Sequence, residues 1–357
     1  MRIGLIGVGR MGQVHAGTLA RLGAVDALVI ADADPDRARA VAASVGAASV
    51  GAASVGAASV GAVAISAAGS IAELLAAGVD AVVIATPTAS HAALIGAAAA
   101  AGLPVFCEKP VAPDVAGTRE VLARVAAAGV PLQVGFQRRF DPGFAAAREA
   151  VRSGRLGWIH TLRACTSDPA PPHASYLPTS GGIFRDCSVH DFDALRWVTG
   201  REVVRVHATG ANRGASFFAD AGDVDTGAAL VELDDGALAV CTATRYNGAG
   251  YDVRLEVCGS AGTVVAGLDD RAPLPPALPD GRARGEPYAG FADRFRDAYA
   301  AELAAFVRVA AGELASPCTG EEALAALLVA EAADRSRREG RTVEIAEVAE
   351  LREAATS

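Results

Sequence analysis

The hexapeptide Gly7-Val8-Gly9-Arg10-Met11-Gly12 constrains this chain more than any other stretch, because it joins an apolar strand-like run, residues 3–6, to a helix-like run, residues 11–22. Glycines so spaced permit a tight turn and let a pyrophosphate approach the helix start, where unpaired N–H groups and the dipole favour an anion. Asp32 ends the second apolar run, 20 residues after Gly12. A carboxylate there can accept hydrogen bonds from both ribose hydroxyls of a dinucleotide, and it repels a 2′-phosphate. Gly7, Gly9, Arg10, Met11, Gly12 and Asp32 are therefore expected to bind NAD rather than NADP. Asp34 and Asp36 read as structural caps of the following helix.

The alternation continues through strand-like runs at 81–85, 105–107 and 132–136, with helix-like segments near 92–101 and 115–128. Apolar runs separated by helices predict a parallel sheet covered on both faces. The texture then changes. Runs at 158–166, 203–209, 226–233, 237–245 and 253–259 read as strands, several joined by short turns such as Asp234-Asp235-Gly236, which favours a mostly antiparallel sheet. The expected fold class is α/β: an N-terminal Rossmann, doubly wound parallel sheet over 1–136 and a C-terminal α+β domain with an open, mostly antiparallel sheet over 137–345. A tail follows at 346–357, and a helix near 321–338 is expected to pack back on the body. A chain of 357 residues suits two cores better than one.

Residues 44–63 repeat Ser-Val-Gly-Ala-Ala, a period of five that matches neither helix nor strand and so gives no stable apolar face. The uncharged span 40–72 has the length of a membrane helix, but its recurrent Ser and Gly make it a poor one. A mobile or loosely helical insertion without chemistry is the expectation.

Composition excludes further classes. A net charge of −9 has the wrong sign for gripping phosphate backbones or anionic lipid, so neither nucleic acid nor membrane is an expected partner. The six cysteines show neither C-x-x-C pairing nor zinc spacing, so neither a disulfide framework nor a metal site is expected. The first residues lack a signal-peptide pattern, and the expected compartment is the cytoplasm. Among the 32 lysines and arginines, Lys109 alone is a lysine. A compositional drift to arginine converts lysines wherever any positive charge suffices, so the survivor marks a place that needs a compact ammonium with a movable pKa.

Chemistry-bearing residues cluster in three further places. Thr86-Pro87-Thr88-Ala89-Ser90-His91 and Glu108-Lys109-Pro110 leave the carboxyl ends of successive strands, the edge where open α/β sheets bind ligands. Lys109 can hydrogen-bond the reacting oxygen or pass its proton. Glu108 either orients the lysine or polarises the loop, and His91 either contacts nicotinamide or starts and packs a helix. In the segment 181–193, Asp186 and His190 stand four residues apart and would share a helix face. A carboxylate beside an imidazole raises its proton affinity, which suits removal of an alcohol proton. The alternative is an N-cap at Asp186 and a core histidine at 190, while Asp191 and Asp193 read as structural.

Taken in order, the glycine turn with Asp32, Thr86-Pro87 with His91, Glu108-Lys109-Pro110, and Asp186 with His190 resemble the glucose-fructose oxidoreductase / inositol dehydrogenase / MocA family over nearly the whole chain. The segments 106–110, 133–141 and 250–252 are most similar to the family's inositol-oxidising branch. The resemblance implies NAD-dependent oxidation of a secondary hydroxyl of a cyclitol, first of all myo-inositol to its 2-ketone. It makes His190 the base, Asp186 its orienting acid and Lys109 the ligand of the reacting oxygen. Arg138 and Tyr251 would line the polyol pocket with them, and Thr86, Pro87, His91 and Glu108 would touch the cofactor. It also implies a homo-oligomer, dimer or tetramer, built on the outer face of the second sheet. Two rivals stand beside it: a related dehydrogenase of scyllo-inositol, glucose or an amino sugar, and an NAD-sensing regulator without turnover.

Overall fold

The computed structural model describes residues 1–53, 63–274 and 285–350, which form two compact units. The first unit comprises Met1–Gln137 and Asp297–Leu324; the second comprises Arg138–Arg296 and the chain from Ala325 onward.

The first unit alternates strand and helix: β1 (Arg2–Ile6), α1 (Arg10–Leu19), β2 (Ala27–Ala31), α2 (Pro35–Ala53), β3 (Ala64–Ala67), α3 (Ile71–Ala76), β4 (Ala81–Ile84), α4 (His91–Ala100), β5 (Val105–Glu108), α5 (Val115–Ala128) and β6 (Leu132–Gly135). All six strands run parallel, in the order β3-β2-β1-β4-β5-β6. β1 is central, with Leu5 between Ile30 and Val83. The strand order reverses between β1 and β4, so a crevice for a ligand opens at their carboxyl ends. Loop chemistry sets the helix limits. The Asp114 side chain accepts from Gly117 N at the start of α5, and Gly129, at φ 65°, ends it.

α2 is longer than the sequence suggests. The alanines of the first repeat copies are good helix formers, and the helix runs on through them to Ala53. Residues 54–62, the remainder of the repeat, lie outside the described residues. The sequence reading passed over β3 and α3 because both are short and β3, at the sheet edge, is only half-buried.

The second unit holds α6 (Pro142–Arg152), β7 (Ile159–Ser167), α7 (Leu177–Ser180), α8 (Val189–Thr199), β8 (Val203–Ala211), α9 (Phe217–Asp220), β9 (Thr226–Leu233), β10 (Leu238–Thr244), β11 (Asp252–Gly259), β12 (Gly262–Ala266) and α10 (Phe291–Arg294). The chain then enters α11 (Arg296–Ala310) and α12 (Gly320–Glu339), and closes with β13 (Val343–Glu344) and α13 (Ile345–Ala349). The sheet order is β12-β11-β7-β10-β9-β8-β13, antiparallel throughout except where β10 runs parallel to β7. Alternation along β9 and β10 buries Ala229, Val231, Leu233, Ala239, Cys241 and Ala243 on one face. On the other face Leu230, Leu238 and Val240 stay 41% to 49% exposed.

α11 belongs with the first unit from Asp297 on. Its Leu303, Phe306 and Val307 join Ile3, Leu5, Leu28 and Phe106 in one apolar core, with the Phe106 and Phe306 rings 5.7 Å apart. Gln133 Nε2 donates to Glu302 O at 3.0 Å, fastening the helix to β6. Among the described residues no helix is long and apolar enough to cross a membrane, and no group of His, Cys, Asp and Glu is placed to hold a metal.

Candidate active site

The turn after β1 needs its glycines for separate reasons. Gly7 adopts φ +91°, and a Cβ there would lie 2.7 Å from Ala85 O. At Gly12 a Cβ would meet Gly7 O at 1.9 Å, so any side chain would push α1 off the turn. Gly9 is different: it is the N-cap of α1, no side chain caps it, and nothing lies within 4 Å of its Cβ position. Open space at an uncapped helix N-terminus fits a pyrophosphate, with Arg10 and Met11 as the first residues behind it. Asp32 is fixed against the same turn. Its Oδ2 accepts from Val8 N at 2.8 Å and its Oδ1 from Asp34 N at 3.0 Å. Each carboxylate oxygen retains capacity for a ribose hydroxyl.

At the carboxyl end of β4, Ser90 Oγ donates to Thr86 Oγ1 at 2.7 Å, and Pro87 leads into a short 3₁₀ turn. His91 is 1% exposed, with Nε2 2.8 Å from Thr86 O and Nδ1 2.7 Å from Pro110 O. It thereby ties the end of β4 to the loop that follows β5. Glu108 Oε1 lies 2.6 Å from Nε2 of the buried His15, whose ring meets Phe106 edge-on. Glu108 is thus held by α1. Lys109 comes next, half-buried, with a cis peptide bond to Pro110.

In the second unit Asp186 lies in a π-helical turn, Phe184–Ser188, immediately before α8, and His190 is the second residue of α8, half-buried. Such turns are frequent at functional sites. Asp186 Oδ1 accepts from the Tyr176 hydroxyl at 3.0 Å and Oδ2 from Arg245 Nη2 at 2.7 Å. Arg245 Nη1 also donates to Asp168 Oδ2 at 2.9 Å. Burial works against the Arg245 charge, but Cys187, Asp186 and Asp168 outweigh it and hold its pKa above the ordinary value. Burial, and then Asp186, push the Tyr176 hydroxyl up, so it stays a donor.

Arg138 is 2% exposed, and its Nη1 and Nη2 donate to Asp191 Oδ1 at 2.5 Å and Thr166 Oγ1 at 2.7 Å. Burial opposes its charge, Asp191 with Tyr251 and Cys165 together more than restore it, and Thr166 braces the pair by donating to Asp191. Arg139 pairs with Asp193 in the same way, Nη2 to Oδ1 at 2.6 Å. The two acids read as structural from the sequence each carry such a pair. Tyr251, just before β11, is buried; burial raises its pKa while Arg138 works against the rise. The sequence reading missed His15, Asp168, Tyr176 and Arg245. His15 had one local signal, its place on the dinucleotide helix three residues after Gly12.

Comparison with known proteins gives a consistent result. Residues 1–136 match the oxidoreductase family with an NAD-binding Rossmann fold, and residues 144–265 match the GFO/IDH/MocA C-terminal domain. A myo-inositol dehydrogenase of Streptomyces leeuwenhoekii is 41% identical over 342 residues, 95% of this chain and 98% of that protein. The crystal structure of a myo-inositol dehydrogenase from Corynebacterium glutamicum superposes with a TM-score of 0.84 at 33% identity, covering 96% of this chain and 98% of that one. A scyllo-inositol dehydrogenase from Lactobacillus casei, solved with bound NAD(H) and scyllo-inositol, gives 0.83 at 29% identity, covering 97% and 99%.

Proposed function

This chain belongs to the GFO/IDH/MocA family of NAD-binding oxidoreductases, and from that premise we propose that it oxidises a secondary hydroxyl of a cyclitol, myo-inositol to its 2-ketone in the first instance. NAD supplies the hydride acceptor when bound. The Gly9 cradle and Asp32 hold it, and Asp32 excludes the 2′-phosphate of NADP. Lys109 Nζ donates a hydrogen bond to the reacting hydroxyl oxygen, which gains negative charge as its proton is withdrawn. The His190 imidazole takes the hydroxyl proton, and Asp186 orients the ring and stabilises the imidazolium. His91 and Glu108 act at one remove, by fixing the loops around Lys109.

The observation that carries the reading is the Asp186 carboxylate, held on both oxygens four residues before a half-buried histidine. A carboxylate fixed in orientation at that interval along the chain is suited to orient the imidazole that takes the alcohol proton. The likeness to myo-inositol dehydrogenases supports the substrate. The scyllo-inositol neighbour keeps the axial or equatorial choice of hydroxyl as a second reading. Arg138 and Tyr251 are assigned to the pocket floor, Arg138 through the Asp191 and Thr166 frame. We also assign the exposed face of the second sheet to a homo-oligomer, a dimer or a tetramer.

The test is a panel of myo-inositol, scyllo-inositol, glucose and an amino sugar, each with NAD and with NADP, read by NADH or NADPH absorbance. The expected result is the highest kcat/KM with myo-inositol and NAD. Turnover of glucose or the amino sugar above both inositols would overturn the substrate, and binding of NADH without turnover of any polyol would overturn the reaction.

A further inference from the structure

Arg245, just past the end of β10, is buried with two carboxylates on it, Asp168 Oδ2 at 2.9 Å from Nη1 and Asp186 Oδ2 at 2.7 Å from Nη2. Its backbone is anchored too, its N–H donating to Asp225 O at 2.8 Å. Asp168 is fastened to the same strand end: its N–H donates to Thr244 O at 2.9 Å and its carbonyl accepts from Asn247 N at 2.8 Å. Asp186 is then gripped on both oxygens by groups from separate parts of the chain, Arg245 on Oδ2 and the Tyr176 hydroxyl on Oδ1. A carboxylate held that way cannot turn about its Cβ–Cγ bond, so its orientation is set before substrate arrives.

A pair that only stabilises the fold needs one acid for one base. Here one buried guanidinium serves two partly buried acids. The arrangement leaves Asp186 an acceptor on both oxygens, sharing the Arg245 guanidinium with Asp168. On the reading that Asp186 orients His190, we propose that Arg245 is a positioning residue for the alcohol oxidation: its planar fork, with Tyr176 as the second hold, locks Asp186 and through it the imidazole four residues on. Lysine cannot replace it, because a single ammonium lacks the rigid fork that reaches two carboxylates in fixed directions.

The test is a pair of cycles. Arg245→Lys and Tyr176→Phe are each made in the native chain and in Asp186→Asn, and kcat and KM are measured with the preferred cyclitol. NADH fluorescence reports separately whether the dinucleotide site is intact. In the native chain Arg245→Lys lowers kcat by about ten-fold or more and Tyr176→Phe by roughly three-fold, with the KM for NAD unchanged. In Asp186→Asn both effects shrink to within about two-fold, because both act through that carboxylate. Equal losses in the two backgrounds, or full kcat in both single variants, overturn the proposal. Tyr176 is 38% exposed, so its Phe variant keeps the fold even where Arg245→Lys does not. Full kcat in Asp186→Asn alone overturns the role of Asp186, and the proposal with it. A crippled Asp186→Asn beside a silent Arg245→Lys overturns the proposal only.

Discussion

Of the 32 lysines and arginines all but one are arginine, and the surviving lysine follows the carboxyl end of β5 behind a glutamate that α1 holds in place. An ammonium is a compact point donor on a flexible stem, whereas a guanidinium is a broad planar fork. Lys109→Met is therefore expected to lower kcat by about 10²-fold or more while NADH binding, read by fluorescence, stays within about two-fold. Lys109→Arg should not restore the rate, and native kcat in Lys109→Met would remove the lysine from the mechanism. The sequence singles out Asp32, Lys109, Asp186 and His190 as candidates because each carries a local mark: a fixed spacing from the glycine turn, uniqueness, or a helical interval. Arg245 carries none. Its carboxylates lie 59 and 77 residues away along the chain, and Tyr176 reaches Asp186 from ten residues before it. Arg138 shows the opposite case, since its segment pointed to the polyol pocket while both terminal nitrogens are engaged by Asp191 and Thr166.

The first sheet could be read at the level of elements because its strands are apolar runs bounded by turn residues, and the observed order puts the glycine turn at the reversal between β1 and β4. Close approach at that turn is testable. Gly12→Ala places a methyl 1.9 Å from Gly7 O, and the start of α1 must move away. The expected outcome is at least about ten-fold weaker NADH binding with the second sheet unaffected in hydrogen exchange. Native NADH affinity in that variant would mean that the turn does not hold the pyrophosphate. Elements without periodicity escaped the sequence. β3 has four residues, and the pentapeptide repeat, patternless for a face, extends α2 on alanine propensity. The π-helical turn at Asp186 has no sequence signature either, and it sits where the alternative reading placed an N-cap.

On the scale of the whole molecule, the described residues leave part of one face of the second sheet exposed. Leu230 and Val240 are direct cross-strand neighbours on that face, with Leu238 two residues on, an apolar strip that a single chain leaves in water. A second copy is the occupant that the proposed oligomer supplies. Light scattering should give a multiple of 35.9 kDa for the native chain, and Leu230→Arg should shift it toward 35.9 kDa. A native mass of 35.9 kDa would remove the oligomer. The return of α11 to the first unit has a consequence of its own. During synthesis the first six strands emerge before the second sheet, yet Leu303, Phe306 and Val307, which join the same core as Phe106, leave the ribosome only after β7 to β12 have been made. Until then that core waits with an open hydrophobic seam, and its maturation is tied to completion of everything translated in between.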